Sequence, residues 1–196
     1  MSKGLITTLV IIGVLVVIVF GFISWGTGIY DNAVRGQEEV NKEWNDVQAA
    51  YQRRADLVPN LVATAKAASE NEKEILTQVT QARAGIVGAT SPEELEAAGR
   101  KINTAINLAF EAYPQIRSTE NWQDLQAQLE GTENRINIAR QRYNQAVASY
   151  NVYVRGYFKK MALNMFGSDE DFTPRKGFTA AEGSDVAPDV SKELKK

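Results

Sequence analysis

Cysteine and histidine are both absent from the 196 residues, and together the two absences exclude more chemistry than any motif in the chain adds. They remove a disulfide framework, a lipidated N-terminal cysteine, a cysteine nucleophile, zinc held by thiolate or imidazole, haem ligated by histidine, and an imidazole acid or base. Chemistry by carboxylates, by lysine, or by oxygen-ligated Mg²⁺ or Ca²⁺ stays open. An excess of one charge is lacking too. The formal net charge is −2, and residues 1–166 balance at 17 basic against 17 acidic side chains. No basic field therefore collects nucleic acid, which is not an expected partner. Proline occurs only five times, leaving long stretches that nothing interrupts.

Charge is missing altogether from residues 4–30, and residues 5–23 are an almost unbroken run of Leu, Ile, Val and Phe. A bilayer's hydrocarbon core takes about 20 apolar residues as a helix, the form in which such a segment satisfies its own backbone. A cleaved secretory signal has a shorter apolar core and small residues at its cleavage site. Here the run continues through Trp25 and Tyr30, placed where interfacial aromatics belong. The sequence therefore predicts an uncleaved single-pass anchor in the cell (inner) membrane. Lys3 on the short side, against Asp31, Arg35, Glu38 and Glu39 beyond, places the N-terminus in the cytoplasm and the remainder on the extracytoplasmic side. Gly13, Gly21, Ser24 and Gly28, with Gly26, put small residues on the span. They read either as a face for close helix approach or as ordinary membrane-helix composition.

The remaining chain suffices for one domain. From Tyr30, apolar positions recur in steps of four and three through Val40, Trp44, Val47, Tyr51, Val58, Ile75, Val79 and Ile86, with Arg54 as a charged intruder. The stripe passes through Pro59, which predicts a bend near Asp56, and a capping box at Ser69-Glu70-Asn71-Glu72 predicts a break. Ser91-Pro92-Glu93-Glu94 opens another helix, ending before Tyr113-Pro114. The last element starts near Ser118 or Thr119 and holds its spacing through Trp122, Leu125, Leu129, Ile136, Tyr143, Tyr150 and Tyr157. Segments 30–68 and 119–158 are each about 60 Å long at 1.5 Å per residue, a length match that predicts antiparallel neighbours. The expected fold is all-α: a transmembrane helix (1–29), an antiparallel four-helix bundle with long heptad-patterned helices (30–166), and a flexible polar tail (167–196). Local order is expected in the tail only if Phe172 or Phe178 docks on a neighbour.

In that topology the last helix returns to the membrane, where Phe158, Lys159, Lys160 and Phe166 form an interfacial segment or else pack on the bundle end. Residue numbers across the two long helices sum to about 187 in antiparallel register, which sets Arg54 opposite Glu133. With Arg53, Asp56 and Glu130 these predict a charged layer, since an arginine at a core position needs a carboxylate. The layer reads as a structural ion pair; a catalytic use of Glu130 or Glu133 lacks a cleft, a nucleophile or a phosphate loop beside it. Tyr143-Asn144 and Tyr150-Asn151 recur seven residues apart, so Trp44, Tyr51, Tyr143, Tyr150 and Tyr157 read as seam or protomer interface.

Tyr51-Gln52-Arg53-Arg54-Ala55-Asp56-Leu57-Val58-Pro59-Asn60-Leu61-Val62 and Leu129-Glu130-Gly131-Thr132-Glu133-Asn134-Arg135-Ile136 are long, specific strings. With Tyr30-Asp31-Asn32, Ala82-Arg83-Ala84 and the two Tyr-Asn pairs, they resemble the LemA family of bacterial membrane proteins from the anchor to about Phe166. The resemblance implies a single N-terminal span and a helical bundle, with no established catalytic activity. A relative in the magnetosome membrane apparatus tilts the implied role toward scaffolding or membrane organisation. Family members tend to carry proline soon after the second Tyr-Asn. This chain reads Val152-Tyr153-Val154-Arg155-Gly156-Tyr157-Phe158, so its last helix is expected to run further. The leading functional expectation is a non-enzymatic scaffold, anchored in the lipid bilayer and homo-oligomeric, with no cofactor. The second is an accessory subunit with a membrane protein partner such as an envelope protease; a carboxylate- or Mg²⁺-dependent enzyme ranks last.

Overall fold

The structure, a computed structural model, describes residues 3–64, 70–112, 120–167 and 172–179. These residues are all-α, with no strand among them: α1 Lys3–Thr64, α2 Glu70–Gly88, α3 Pro92–Ala112, α4 Glu120–Arg155 and α5 Tyr157–Phe166. Helix α1 is 62 residues long, about 90 Å at 1.5 Å per residue. Its side chains from residue 4 to residue 25 are exposed, and it is the one described helix long and apolar enough to cross a membrane. Burial begins at Gly26 and Ile29.

Above that level α1 is the hub. Helix α4 runs antiparallel to it, as the pairs Trp44 with Tyr143 and Gly36 with Tyr150 require. The α2/α3 hairpin covers the upper half of the same helix. Val47, Val58, Ile75, Val79, Ile86, Leu95 and Ile102 are buried between these three elements. Each contributes about 1.5–3 kcal/mol of apolar burial, which is where the stability of the hairpin resides. Gln48 on α1 donates from Nε2 to the carbonyls of Ile86 at 2.9 Å and Ala89 at 3.2 Å. Two backbone acceptors at the end of α2 are thereby satisfied from another helix.

The helix does not stop at Pro59 but continues to Thr64. Proline there removes one hydrogen bond and crowds the carbonyl four residues earlier. That earlier residue, Ala55, is fully buried, as is Val58, so packing just before the proline offsets the local cost. The capping box expected at Ser69 falls outside the described residues. At the other end, α4 stops at Arg155 instead of running on. Gly156 adopts an extended backbone (φ −60°, ψ 132°), after which α5 starts as a separate helix.

The α2/α3 turn is closed reciprocally. Glu94 Oε2 accepts from the Thr90 amide at 2.8 Å and the Thr90 hydroxyl at 3.1 Å, while the Glu94 amide donates to Ser91 Oγ at 3.3 Å. The donors at Thr90 hold the Glu94 carboxyl below its ordinary pKa of 4.5. A depressed folded-state pKa gives stability that is present above the unfolded value and disappears as pH falls through the folded one. Glu94→Gln should therefore flatten the loss of thermal stability on acidification below about pH 4.5 relative to the parent chain, as measured by circular dichroism melts across pH 3–7.

Candidate functional site at the membrane end of the bundle

The uncharged stretch of α1 ends at Tyr30, and α5 is folded against it at that height. Ala162 and Leu163 are buried on the inner face of α5. Phe166 sets its ring 5.8 Å from Phe22 and against Gly26, where a Cβ would overlap the ring. Glycine at 26 is thus a requirement of this close approach. Tyr153 donates its hydroxyl to the Ile29 carbonyl at 3.2 Å, and Lys159 Nζ sits 4.0 Å over the Tyr153 ring. The outer face of α5 carries Tyr157, Phe158, Met161 and Met165, exposed at 79, 66, 47 and 61%. Four large apolar side chains on one short helix form a patch of a kind that soluble surfaces avoid.

Next to this helix an extended segment straps the bundle. Residues 172–179, expected to belong to a flexible tail, lie along α4 with Phe172 and Phe178 buried. Asn144 donates to the Phe178 carbonyl at 2.9 Å and accepts from the Phe178 amide at 2.7 Å. Asn151 does the same for Arg175, with both bonds at 2.8 Å. The match is geometric: seven helical residues advance about 10 Å, and so do three extended ones. Between the clamps Tyr143 donates its hydroxyl to the Lys176 carbonyl at 3.0 Å. Phe178 stacks on Trp44 with centroids 6.1 Å apart and lies under Arg140 at 4.7 Å. Phe172 meets Tyr30 edge-on at 5.3 Å.

Higher up, between α1, α3 and α4, lies a polar cleft of about 270 Å³ bounded by Tyr51, Arg54, Glu96, Glu133 and Arg140. Arg54 pairs with Glu133, and Arg140 pairs with Glu96. Burial lowers the pKa of the Arg54 guanidinium and raises that of the Tyr51 phenol. Both groups are harder to charge there than in water. The Tyr51 ring sits over Gly99, where a Cβ would collide with it. Among the described residues no group of three or more carboxylates is arranged to hold a metal.

The model of the LemA family matches residues 43–191. The chain belongs to the LemA family. Among curated relatives, Protein LemA of Metamycoplasma hominis is 27% identical over 128 residues, covering 63% of this chain and 58% of the relative. The chain thus spans less than two thirds of that relative's length. The LemA match begins inside α1 and takes in the strap.

Within this LemA bundle the charged residues read from sequence separate. Arg53 and Glu130 are exposed, Glu130 accepting from Gln126 on its own helix at 3.2 Å. Asp56 instead pairs with Arg83 of α2. No single layer of five forms, because Arg53 and Glu130 point outward where water solvates them without cost. Trp44, Tyr51, Tyr143 and Tyr150 lie in the interior, whereas Tyr157 stands on the outer face of α5. Phe166 is half-buried against α1 rather than on the surface with Phe158 and Lys160. Gly13, Gly21 and Gly28 face open space, and Ser24 is exposed. The glycine in use within one chain is Gly26, which the sequence pattern did not separate from its neighbours. Asn144 and Asn151 were visible only as companions of tyrosines, since nothing in their spacing names residues 175 and 178 as their partners.

Two substitutions test this arrangement. Gly26→Ala should lift Phe166 and α5 from α1, seen as faster amide exchange across residues 157–166, whereas Gly28→Ala should leave that exchange unchanged. Asn144→Ala should weaken strap docking by about 1–3 kcal/mol, the worth of two net hydrogen bonds, read as raised exchange at residues 172–179.

Proposed function

We propose that this chain is a non-enzymatic, membrane-anchored scaffold, whose bundle is held in a fixed attitude to the bilayer and assembles with further copies of itself. The observation that carries this reading is the continuity of α1, one helix from the apolar span into the buried core. A soluble domain on a flexible tether is free to tumble; a bundle built around its own anchor is not. The outer face of α5 supports the same reading. With Phe158 and Met165 outward and Lys160 beside them, it suits the interfacial zone of a bilayer, at the height where the uncharged part of α1 ends. Arg54 is paired with Glu133 and Arg140 with Glu96, and these carboxylates and arginines are read as structural. In this reading the N-terminus lies in the cytoplasm and the bundle on the extracytoplasmic side of the cell membrane, supported by Lys3 on the short side of the span.

Gly13 and Gly21 lie on the span with nothing against them, which suits a second helix approaching closely. Cross-linking in native membranes should yield dimers or larger species of the parent chain, reduced severalfold by Gly13→Ile combined with Gly21→Ile. A monomer at native expression levels would overturn the assembly part of the reading, and recovery of a stoichiometric membrane enzyme in its place would favour an accessory role.

A further inference from the structure

Helix α5 divides round its axis into three sectors. At about 100° per residue, Tyr157, Met161, Met165 and Phe158 fall together on one exposed side. Ala162, Leu163 and Phe166 fill the next sector and pack inward. The third holds Lys160 and Asn164, both exposed. That polar sector borders a slot of about 420 Å³ where α4, α5 and the strap meet, lined by Arg155, Lys160 and Asn164 on one side and by Phe172 and Thr173 on the other. Arg155 is exposed and takes part in none of the ion pairs among the described residues. No acid is among the described residues that line the slot. Its height is fixed by Phe172, which meets Tyr30 edge-on at 5.3 Å. Tyr30 stands seven residues beyond Ile23, about 10 Å past the end of the apolar run. The headgroup layer outside the hydrocarbon core is roughly 5–8 Å deep, so the slot opens at its outer edge, within reach of long basic side chains.

We propose that this slot holds the headgroup phosphate of an anionic phospholipid, so that the membrane end of the bundle selects its lipid neighbours by charge. A guanidinium takes a phosphate bidentately and an ammonium adds a point charge. Choline or ethanolamine headgroups would bring a cation of their own to a slot whose described lining offers no acid to meet it. A glycerol headgroup brings hydroxyls instead, which Asn164 and Thr173 can bond. The exposed apolar sector begins about 60° round α5 from Lys160, so the same helix presents Met161 and Met165 to the acyl boundary while Lys160 meets the phosphates. Asp169, Glu170 and Asp171, next in sequence, lie outside the described residues. The inference rests on the reading that α5 lies in the interfacial zone, and is independent of self-assembly.

Because the chain has no cysteine, Met161→Cys gives a single labelling position in the exposed sector, beside Lys160. The full chain, labelled there with bimane, is placed in nanodiscs of equal phosphatidylglycerol and phosphatidylcholine, with a doxyl quencher on the acyl chain of one lipid or the other. Labelled phosphatidylglycerol should quench about twofold or more strongly than labelled phosphatidylcholine, the local enrichment expected from two basic side chains at the surface. Arg155→Gln combined with Lys160→Gln should bring the two lipids to parity while amide exchange at residues 172–179 stays slow. Arg155→Lys combined with Lys160→Arg should keep the preference. Quenching by neither lipid would overturn the interfacial reading beneath the inference. Equal quenching by both in the parent chain, or a preference that outlives the double glutamine variant, overturns the inference alone. Loss of the preference in millimolar inorganic phosphate, but not in sodium chloride of equal ionic strength, would assign the slot to a soluble anion and overturn the lipid assignment.

Discussion

The continuity of one helix from the apolar span to the hydrophobic core is the constraint from which the other contacts follow. Helices α2, α3, α4 and α5 all pack against α1, so each is positioned relative to the membrane as soon as it is positioned in the bundle. Rotating α1 by one residue would move Val40, Val47 and Val58 about 100° off the core. The same rotation would swing Gly26 away from Phe166, so core packing and membrane geometry cannot vary independently. Ala55 and Val58, buried just before the proline near the end of α1, anchor the turn on which its ring bears.

A second consequence concerns backbone groups. Residues 173–177 form neither helix nor sheet, yet Arg175, Lys176 and Phe178 place main-chain groups on Asn144, Asn151 and Tyr143. A helix side is a poor partner for an extended chain because its own amides and carbonyls are already spent. Carboxamides solve this, since each carries a donor and an acceptor, and a seven-residue spacing matches three residues of strap. The tyrosine preceding Asn144 serves the seam and the strap at once, Tyr143 packing against Trp44 and donating to Lys176.

The all-α class, the apolar helix and the boundaries near residues 92 and 112 were legible in the sequence because periodicity, Ser-Pro capping and an uncharged run are local signals. The pairing of Arg54 with Glu133 could be read from the matched lengths of two long helices. The break at Gly156 could not, because a lone glycine in a helical pattern is common and its backbone angles are set by where α5 finds burial. The strap was hidden for the same kind of reason. Its composition is polar, and only the shape of the α4 surface distinguishes Phe172 and Phe178 from solvent-exposed phenylalanines in a tail.

The arginines sharpen the distinction between stability and specificity. Arg54 is nearly buried while Glu133, its partner, is half exposed, so screening leaves the pair a small net contribution when correctly formed. Slipping α4 by one turn would part Arg54 from Glu133, and only a slip that brings up Glu130 would offer the part-buried guanidinium another carboxylate. The Arg140–Glu96 pair ties α3 to α4 under the same logic, and Gly99 admits the Tyr51 ring only in one alignment of α1 with α3. Three contacts with little individual energy thus reject wrong registers between long helices whose apolar stripes alone would accept them. Such a device is useful because small residues stand in the seam at Ala98, Ala105 and Ala109, and a slide of one turn exchanges Ala105 for Ala109.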